Sequence, residues 1–338
     1  MKILFDARLG LDGNTGISYV SKNILESIIL TFGIDNVYLL TNITIYEFDI
    51  PKNQQILTRF SPFSISLFTK YPKEFDIIFC PHTSPQFPNK DQKLIFIIHD
   101  ICFLYPFFWN KFSIFGLLKK LILKFKIKLV SKFSYNIITP SPVVKFYLKN
   151  ILRISSIVID NPISLPNITK IENFNYENYI LYIGNLRKHK NIELLTSIIK
   201  KRKDLNFIFI GINENKFIEN FGYYDNIIFK KNLDYNLYLN FILNANLVIN
   251  TSLCEGFCIP IYESLILKKK VICLNIPIFR HLRDYLILAE NNCQHFSELI
   301  DLRLNEFENQ SKLFIYKPNI SYNNYFNLIK NEFTNRTQ

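Results

Sequence analysis

Short unbroken apolar runs, each followed by a polar or glycine-bearing loop and then by apolar positions at helical spacing, recur along the chain. The first is Ile3 to Phe5, followed by the loop LGLDGNTG and a helix expected from about Ile17 to Leu30. The same order returns at YILYIG, Tyr179 to Gly184, with the loop NLRKHKN, a helix from Ile192 to about Lys200 and a strand at Asn206 to Ile210. Further strands are expected at Val37 to Leu40, Ile77 to Cys80, Leu94 to Ile98 and Asn136 to Ile138 in the first half. In the second half they fall at Ile227 to Phe229, Leu247 to Asn250 and Val271 to Leu274. Runs without polar alternation are what strands covered on both faces require, so the pattern predicts an α/β protein with two doubly wound, Rossmann-like parallel sheets.

The stretch IVIDNPISLPN, Ile157 to Asn167, holds two prolines between the two patterns and reads as the linker. The chain is 338 residues long, which at roughly 100–200 residues per domain also gives two. The expected domains are 1–165 and 166–315, facing each other across a cleft. Residues 316–338 are expected as a C-terminal helix packing back on the first domain.

Composition narrows the class. With 49% apolar and 20% charged residues the chain carries too much core-forming surface for a disordered or fibrous protein. MKILFDARLG lacks the basic-then-apolar run of a secretory signal, and no window approaches 18 apolar residues. The six cysteines lack CxxC spacing and read as reduced thiols, so a cytoplasmic protein is expected. The net charge of +12 admits nucleic acid, an anionic membrane surface or a phosphorylated ligand. A chain rich in Ile, Asn, Lys, Phe and Tyr with only nine glycines also reflects AT-rich coding, and no nucleic-acid motif accompanies the charge.

The stretch TSLCEGFCIPIYESLILKKKVICLN begins where the strand LVIN ends and reads loop, helix, strand. Pro260 suits a first helical turn, which leaves Glu255, Gly256, Phe257 and Cys258 at the helix N-terminus. Free amides and the positive dipole end there favour a phosphate or a sugar hydroxyl. Glu255 and Glu263, eight residues apart, can face one cleft, the first accepting from sugar hydroxyls and the second holding a ribose diol. The plainer alternative makes Glu255 a helix-end acid and Glu263 a solvated surface residue.

EGFCIPIYE resembles the E-x7-E signature of retaining glycosyltransferases of family 4, with Cys258 where a glycine is usual. The similarity continues in order along the chain. GNTGISYV resembles the family's glycine-containing donor-side loop, IIHDICFLYP the HD segment of its mannosyltransferase-like members, and ITPSPVVKFYL their T-x-S segment. YILYIGNLRKHKNIELL resembles the strand, lysine loop and helix of the second domain, and IPIFRHL a segment after the signature.

That resemblance implies a GT-B fold, with an acceptor-side first domain and a nucleotide-sugar-binding second domain. Glu255 is then expected to contact the donor sugar, Glu263 the ribose and Lys190 the diphosphate. The amides of Gly256, Phe257 and Cys258 would face sugar and phosphate, Gly16 would let the first loop approach the diphosphate, and His99 would bind the transferred sugar. Asp100 would orient the loop carrying His99 or cap the next turn, with Ser141 of the T-x-S segment as a further support. Two departures stand out: Asn185 occupies the place of a common arginine, and His189 that of another, with Arg187 and Lys188 positioned to compensate.

The histidines show no HxH or HExxH and the cysteines no ligand spacing, so no metal or other cofactor is expected. Residues 109–133 interleave lysines 119, 120, 124, 126, 128 and 132 with large apolar side chains, as at an anionic bilayer; a domain helix would instead bury its Leu, Ile and Phe.

The expected chemistry is transfer of a sugar, with retention, from a nucleotide-diphosphate sugar to a glycan or lipid-linked acceptor. GDP-mannose is the first donor to try, with UDP- and dTDP-sugars next. The setting implied is cell-surface polysaccharide or lipopolysaccharide assembly, with the protein cytoplasmic or peripheral on the membrane. The competing readings are a nucleotide-sugar epimerase or phosphorylase on the same fold, and a non-catalytic basic binder of membranes or nucleic acid.

Overall fold

The computed structural model describes residues 1–9, 11, 16–59, 69–105, 114–161, 163, 165, 166, 168, 169, 171 and 174–305. The chain divides into a first unit that contains Met1–Pro162 and a second formed by Ile163–Pro318. The helix expected over 316–338 lies outside the described residues, as do 10 and 12–15 of the first glycine loop and 109–113 of the basic segment.

In the first unit the chain runs β1 (Ile3–Asp6), α1 (Gly16–Phe32), β2 (Val37–Thr41), β3 (Gln55–Leu57), β4 (Ile77–Cys80), β5 (Lys93–Ile97), α2 (Ile114–Ser131), β6 (Asn136–Thr139), α3 (Pro142–Tyr147) and β7 (Ile157–Val158). The strands form one parallel sheet in the order β3-β2-β1-β4-β5-β6-β7, with Ile3 opposite both Val37 and Ile77. Leu4, Phe5, Ile78, Phe79, Phe96 and Ile97 are fully buried along its middle strands. On α1 the buried Val20, Ile24, Leu25 and Ile28 recur at helical spacing and give the helix its inward face.

Two of these strands are absent from the sequence pattern. β3 is three residues with a polar first position, and β7 is two residues at the start of the stretch read as a linker. Both are too short to carry a period and exist only through pairing with β2 and β6. The helix α2 divides its apolar residues. Ile127 and Val130 are buried, whereas Leu117, Leu118, Leu121 and Phe125 are each more than half exposed. Among the described residues no helix is long and apolar enough to cross a membrane.

The second unit runs β8 (Tyr179–Ile183), α4 (Ile192–Lys201), β9 (Asn206–Ile210), α5 (Glu214–Phe221), β10 (Ile227–Lys230), α6 (Tyr235–Asn244), β11 (Leu247–Asn250), α7 (Ile259–Ile266), β12 (Val271–Leu274), β13 (Ile287–Ala289) and α8 (Cys293–Asn305). Its parallel sheet has the order β10-β9-β8-β11-β12-β13. Again the unforeseen strand, β13, is a three-residue edge. In this order the chain builds outward from β8, then crosses back to start β11 on its other side. The carboxyl ends of β8 and β11 therefore flank the switch point at which open α/β sheets bind ligands.

Two glycines allow the strand ends there to close up. Gly211, at φ +87°, could not carry a Cβ without placing it 2.7 Å from the carbonyl oxygen of Gly184. A Cβ on Gly184 would in turn stand 2.7 Å from the Tyr182 hydroxyl.

The cysteine expectation needs correction. Cys80, Cys258, Cys273 and Cys293 are free thiols, but Cys102 and Cys254 are not among them.

Candidate active site

The loop after β8 and the loop after β11 meet at the switch point of the second unit. Lys188–Lys190 form one tight helical turn, ended by Asn191 in the left-handed conformation at φ 52°. The backbone N–H of Leu253 donates to the His189 carbonyl at 2.7 Å, and the Thr251 hydroxyl to the Lys190 carbonyl at 2.8 Å. These two bonds fix the loops against each other, and the side chains they present then pair: Lys190 Nζ lies 2.5 Å from Glu255 Oε1.

The two side chains are 13% and 11% exposed, enough to be reached yet shielded enough for the pairing to matter. Burial raises the Glu255 pKa, but the Lys190 charge and hydrogen bond outweigh it and hold the acid below its ordinary range. For Lys190 burial works downward, and the facing carboxylate more than reverses it. Both groups are charged at neutral pH.

Beside the pair, α7 begins at Ile259 with Pro260 in its first turn, as the sequence predicts. The backbone N–H groups of Gly256, Phe257 and Cys258 donate to no acceptor among the described residues. They form a group of amide donors at a helix N-terminus, next to one cation and one anion. The Phe257 ring turns inward, stacked on Tyr262 at 4.2 Å, and the Tyr262 hydroxyl meets His281 Nε2 at 3.0 Å, so Phe257 offers only its amide.

Cys258 has φ 72°, in the left-handed region, a sign that its sequence alone leaves open. The place of the usual family glycine does demand a left-handed residue, at a cost to a side chain of roughly 1–2 kcal/mol. Its sulfur accepts from Asn250 Nδ2 at 3.5 Å.

Glu263 is only 3% exposed, which overturns its reading as a solvated surface acid. Its oxygens accept hydrogen bonds from Tyr235 at 2.7 Å and Tyr238 at 2.6 Å. Burial pushes its pKa up, and the two phenol donors work against that. Asn185 and Arg187 are exposed, and the Asn185 side chain is used locally, accepting from the Arg187 N–H at 3.1 Å.

The remaining predicted residues lie in the first unit. Gly16 opens α1, and Ser141 caps α3 by accepting from the Val144 N–H at 3.3 Å. Asp100 accepts from the Cys102 N–H at 2.8 Å and so caps the turn that follows it. His99 is buried, and its Nε2 lies 2.7 Å from the Pro81 carbonyl. Since a carbonyl only accepts, Nε2 carries the proton. Burial brings the His99 pKa down to about 4, which leaves the ring neutral at pH 7 with Nδ1 as an acceptor.

A cluster that sequence reasoning missed sits at the carboxyl ends of β1 and β4. Asp6 takes Arg8 in a fork, Nε at 2.7 Å and a terminal nitrogen at 2.5 Å, and also accepts from the Tyr71 hydroxyl at 2.7 Å. Asp6, Cys80 and His82 place possible metal-ligand atoms within 4.8 Å of one another. Both Asp6 oxygens are already engaged, and the Arg8 charge opposes a cation at that spot. In the second unit, Thr251, Asn250, Tyr182, Tyr235 and Tyr238 were likewise missed. The Tyr182 hydroxyl is buried with no partner among the described residues. No local motif marks any of them; only the alternation of strand and loop puts them near the site.

Known proteins agree with this picture at the level of class and fold. Residues 166–317, spanning the second unit, match the family model described as glycosyl transferases group 1. No curated protein sequence matches the chain. Among solved structures, Anabaena Alr3699/HepE in complex with UDP and glucose is similar at 14% identity and a TM-score of 0.65, over 99% of each chain. WaaG, a glycosyltransferase involved in lipopolysaccharide biosynthesis, is similar at 12% identity and a TM-score of 0.65, over 90% of each chain. A point mutant of S. aureus TarM in complex with fondaparinux, alpha-GlcNAc-glycerol and UDP is similar at 17% identity and a TM-score of 0.50, over 68% of this chain; this chain spans about half of its length, 48%. The fold is thus GT-B, built from two Rossmann-like units, and the second unit is the part that matches the glycosyl transferases group 1 model.

Proposed function

We propose that this protein is a retaining glycosyltransferase that moves a sugar from a nucleotide-diphosphate donor to an acceptor hydroxyl. The observation that carries the reading is the Lys190–Glu255 pair beside the amides of Gly256 to Cys258, which have no acceptor among the described residues, at the switch point of the second sheet. As the sugar leaves, negative charge grows on the diphosphate. A lysine and amides held in place before the reaction stabilise that charge without reorganising. Glu255, kept ionised by Lys190, accepts from sugar hydroxyls and counters positive charge on the oxocarbenium-like carbon. Neither glutamate is assigned as nucleophile: the acceptor attacks from the leaving-group face, and a phosphate oxygen takes its proton. His99, neutral with an acceptor nitrogen, is assigned to a donor-sugar hydroxyl, and Glu263 to the ribose. No metal is assigned a part.

GDP-mannose remains the first donor to test, with UDP- and dTDP-sugars next, and cell-surface polysaccharide or lipopolysaccharide assembly is the proposed setting. The exposed Leu117, Leu118, Leu121 and Phe125 of α2, with Lys120, Lys124 and Lys128 on the same helix, support docking on an anionic membrane that carries a lipid-linked acceptor. The deciding experiment incubates the full chain with each nucleotide sugar and a lipid-linked glycan acceptor, follows nucleoside diphosphate release, and reads the anomeric configuration of the product by NMR. No turnover with any donor, or an inverted product, would refute the reading.

A further inference from the structure

Glu263 presents an unusual arrangement for an acid assigned to a ligand, because it is already engaged on both oxygens. Tyr235 and Tyr238, three apart on one face of α6, donate one hydroxyl each to Oε1 and Oε2, at 2.7 and 2.6 Å. Their rings stack, with centroids 5.8 Å apart and planes 15° from parallel. The helix start is fixed by Asp234, whose side chain accepts from the Leu237 N–H at 2.8 Å, so Tyr235 is held at the first helical position.

A carboxylate has about four acceptor directions, two per oxygen. Among the described residues, one tyrosine on each oxygen leaves one direction open on each. Two adjacent acceptor directions from one planar group match the two O–H donors of a vicinal diol. An unsupported buried acid tends toward protonation, which would turn one acceptor into a donor and spoil that match. The phenol donors counter this and also stop the carboxylate from rotating.

We propose that Tyr235 and Tyr238 are positioning residues that aim Glu263 at a ribose diol, so that the second unit selects ribonucleotides over 2′-deoxyribonucleotides. This rests on the reading of that unit as a nucleotide-sugar domain. The test is calorimetric titration of the full chain with UDP against dUDP, GDP against dGDP, and dTDP, using wild type, Y235F, Y238F and E263Q. The wild type should favour the ribonucleotide by about tenfold or more. Each tyrosine variant should cut that ratio at least threefold while the deoxynucleotide affinity stays within about twofold, and E263Q should abolish the preference.

An unchanged ratio in both tyrosine variants, or equal losses for ribo and deoxy ligands, would overturn the inference and leave the tyrosines a structural role. Preferential binding of dTDP would also overturn it while leaving the transferase reading intact. If the wild type binds none of these nucleotides, the transferase reading itself fails and takes the inference with it. Should Y238F not fold, the half-exposed Tyr235 still decides the question through Y235F.

Discussion

Replacing Lys190 by methionine leaves an unbranched side chain one atom shorter and removes its charge, which isolates the ion pair with Glu255. At 2.5 Å and an effective dielectric of about 20, the gross attraction is about 7 kcal/mol, most of which offsets the desolvation of two charges. What remains after mutation is a carboxylate only 11% exposed that has lost its lysine partner. Breaking such a pair costs about 3–5 kcal/mol when fully buried, and the residual exposure argues for the low end, about 3 kcal/mol. For a domain of this size that lowers the melting temperature by about 6–12 °C. In the double variant Lys190→Met with Glu255→Gln no charge is stranded, so the loss should shrink and the cycle show a coupling of about 2 kcal/mol or more. Thermal melts of the four proteins at pH 7 supply the cycle. If the two substitutions prove additive, or the lysine variant melts within about 2 °C of wild type, the pair does not organise the site and the mechanism loses its basis. In turnover assays Glu255→Gln should abolish transfer while nucleoside diphosphate affinity persists, whereas Lys190→Met should weaken both.

Three further outcomes follow from the same geometry. Gly211→Ala meets both a positive φ and the Gly184 carbonyl, so it should destabilise by about 2 kcal/mol or more, and an unchanged denaturant midpoint would disprove the close approach. At Cys258, with φ 72°, glycine should change stability by less than about 1 kcal/mol while β-branched valine should cost more than about 2; equal effects in urea titrations would contradict the left-handed assignment. His99 stays neutral in the fold to about pH 4 but takes a proton near pH 6.5 once unfolded, so the unfolded state binds more protons in that window. Its contribution to stability is complete above pH 6.5 and is lost as pH falls toward 4, by about 3 kcal/mol in all. His99→Gln should flatten that acid limb of the melting curve, and an identical limb would count against the buried neutral ring.

The sequence by itself determined the α/β class and most of the strands, because a strand covered on both faces has to be an unbroken apolar run such as LVIN or VICL. It also determined the start of α7, because proline is tolerated in a first turn where an interior position would refuse it. The edge strands β3, β7 and β13 were invisible, since two or three residues carry no period and their existence depends on a neighbour's backbone. Which side chains meet was likewise a tertiary matter. Lys190 and Glu255 are 65 residues apart in the chain, and Tyr238 and Glu263 are 25 apart. Only the parallel sheet, by setting every strand's carboxyl end along one edge, brings the loops that hold them to a common point. The conformation of Cys258 and the depth at which Glu263 lies were decided there too. Backbone sign and solvent exposure are properties of the packed surroundings, and the identity of a residue does not encode them.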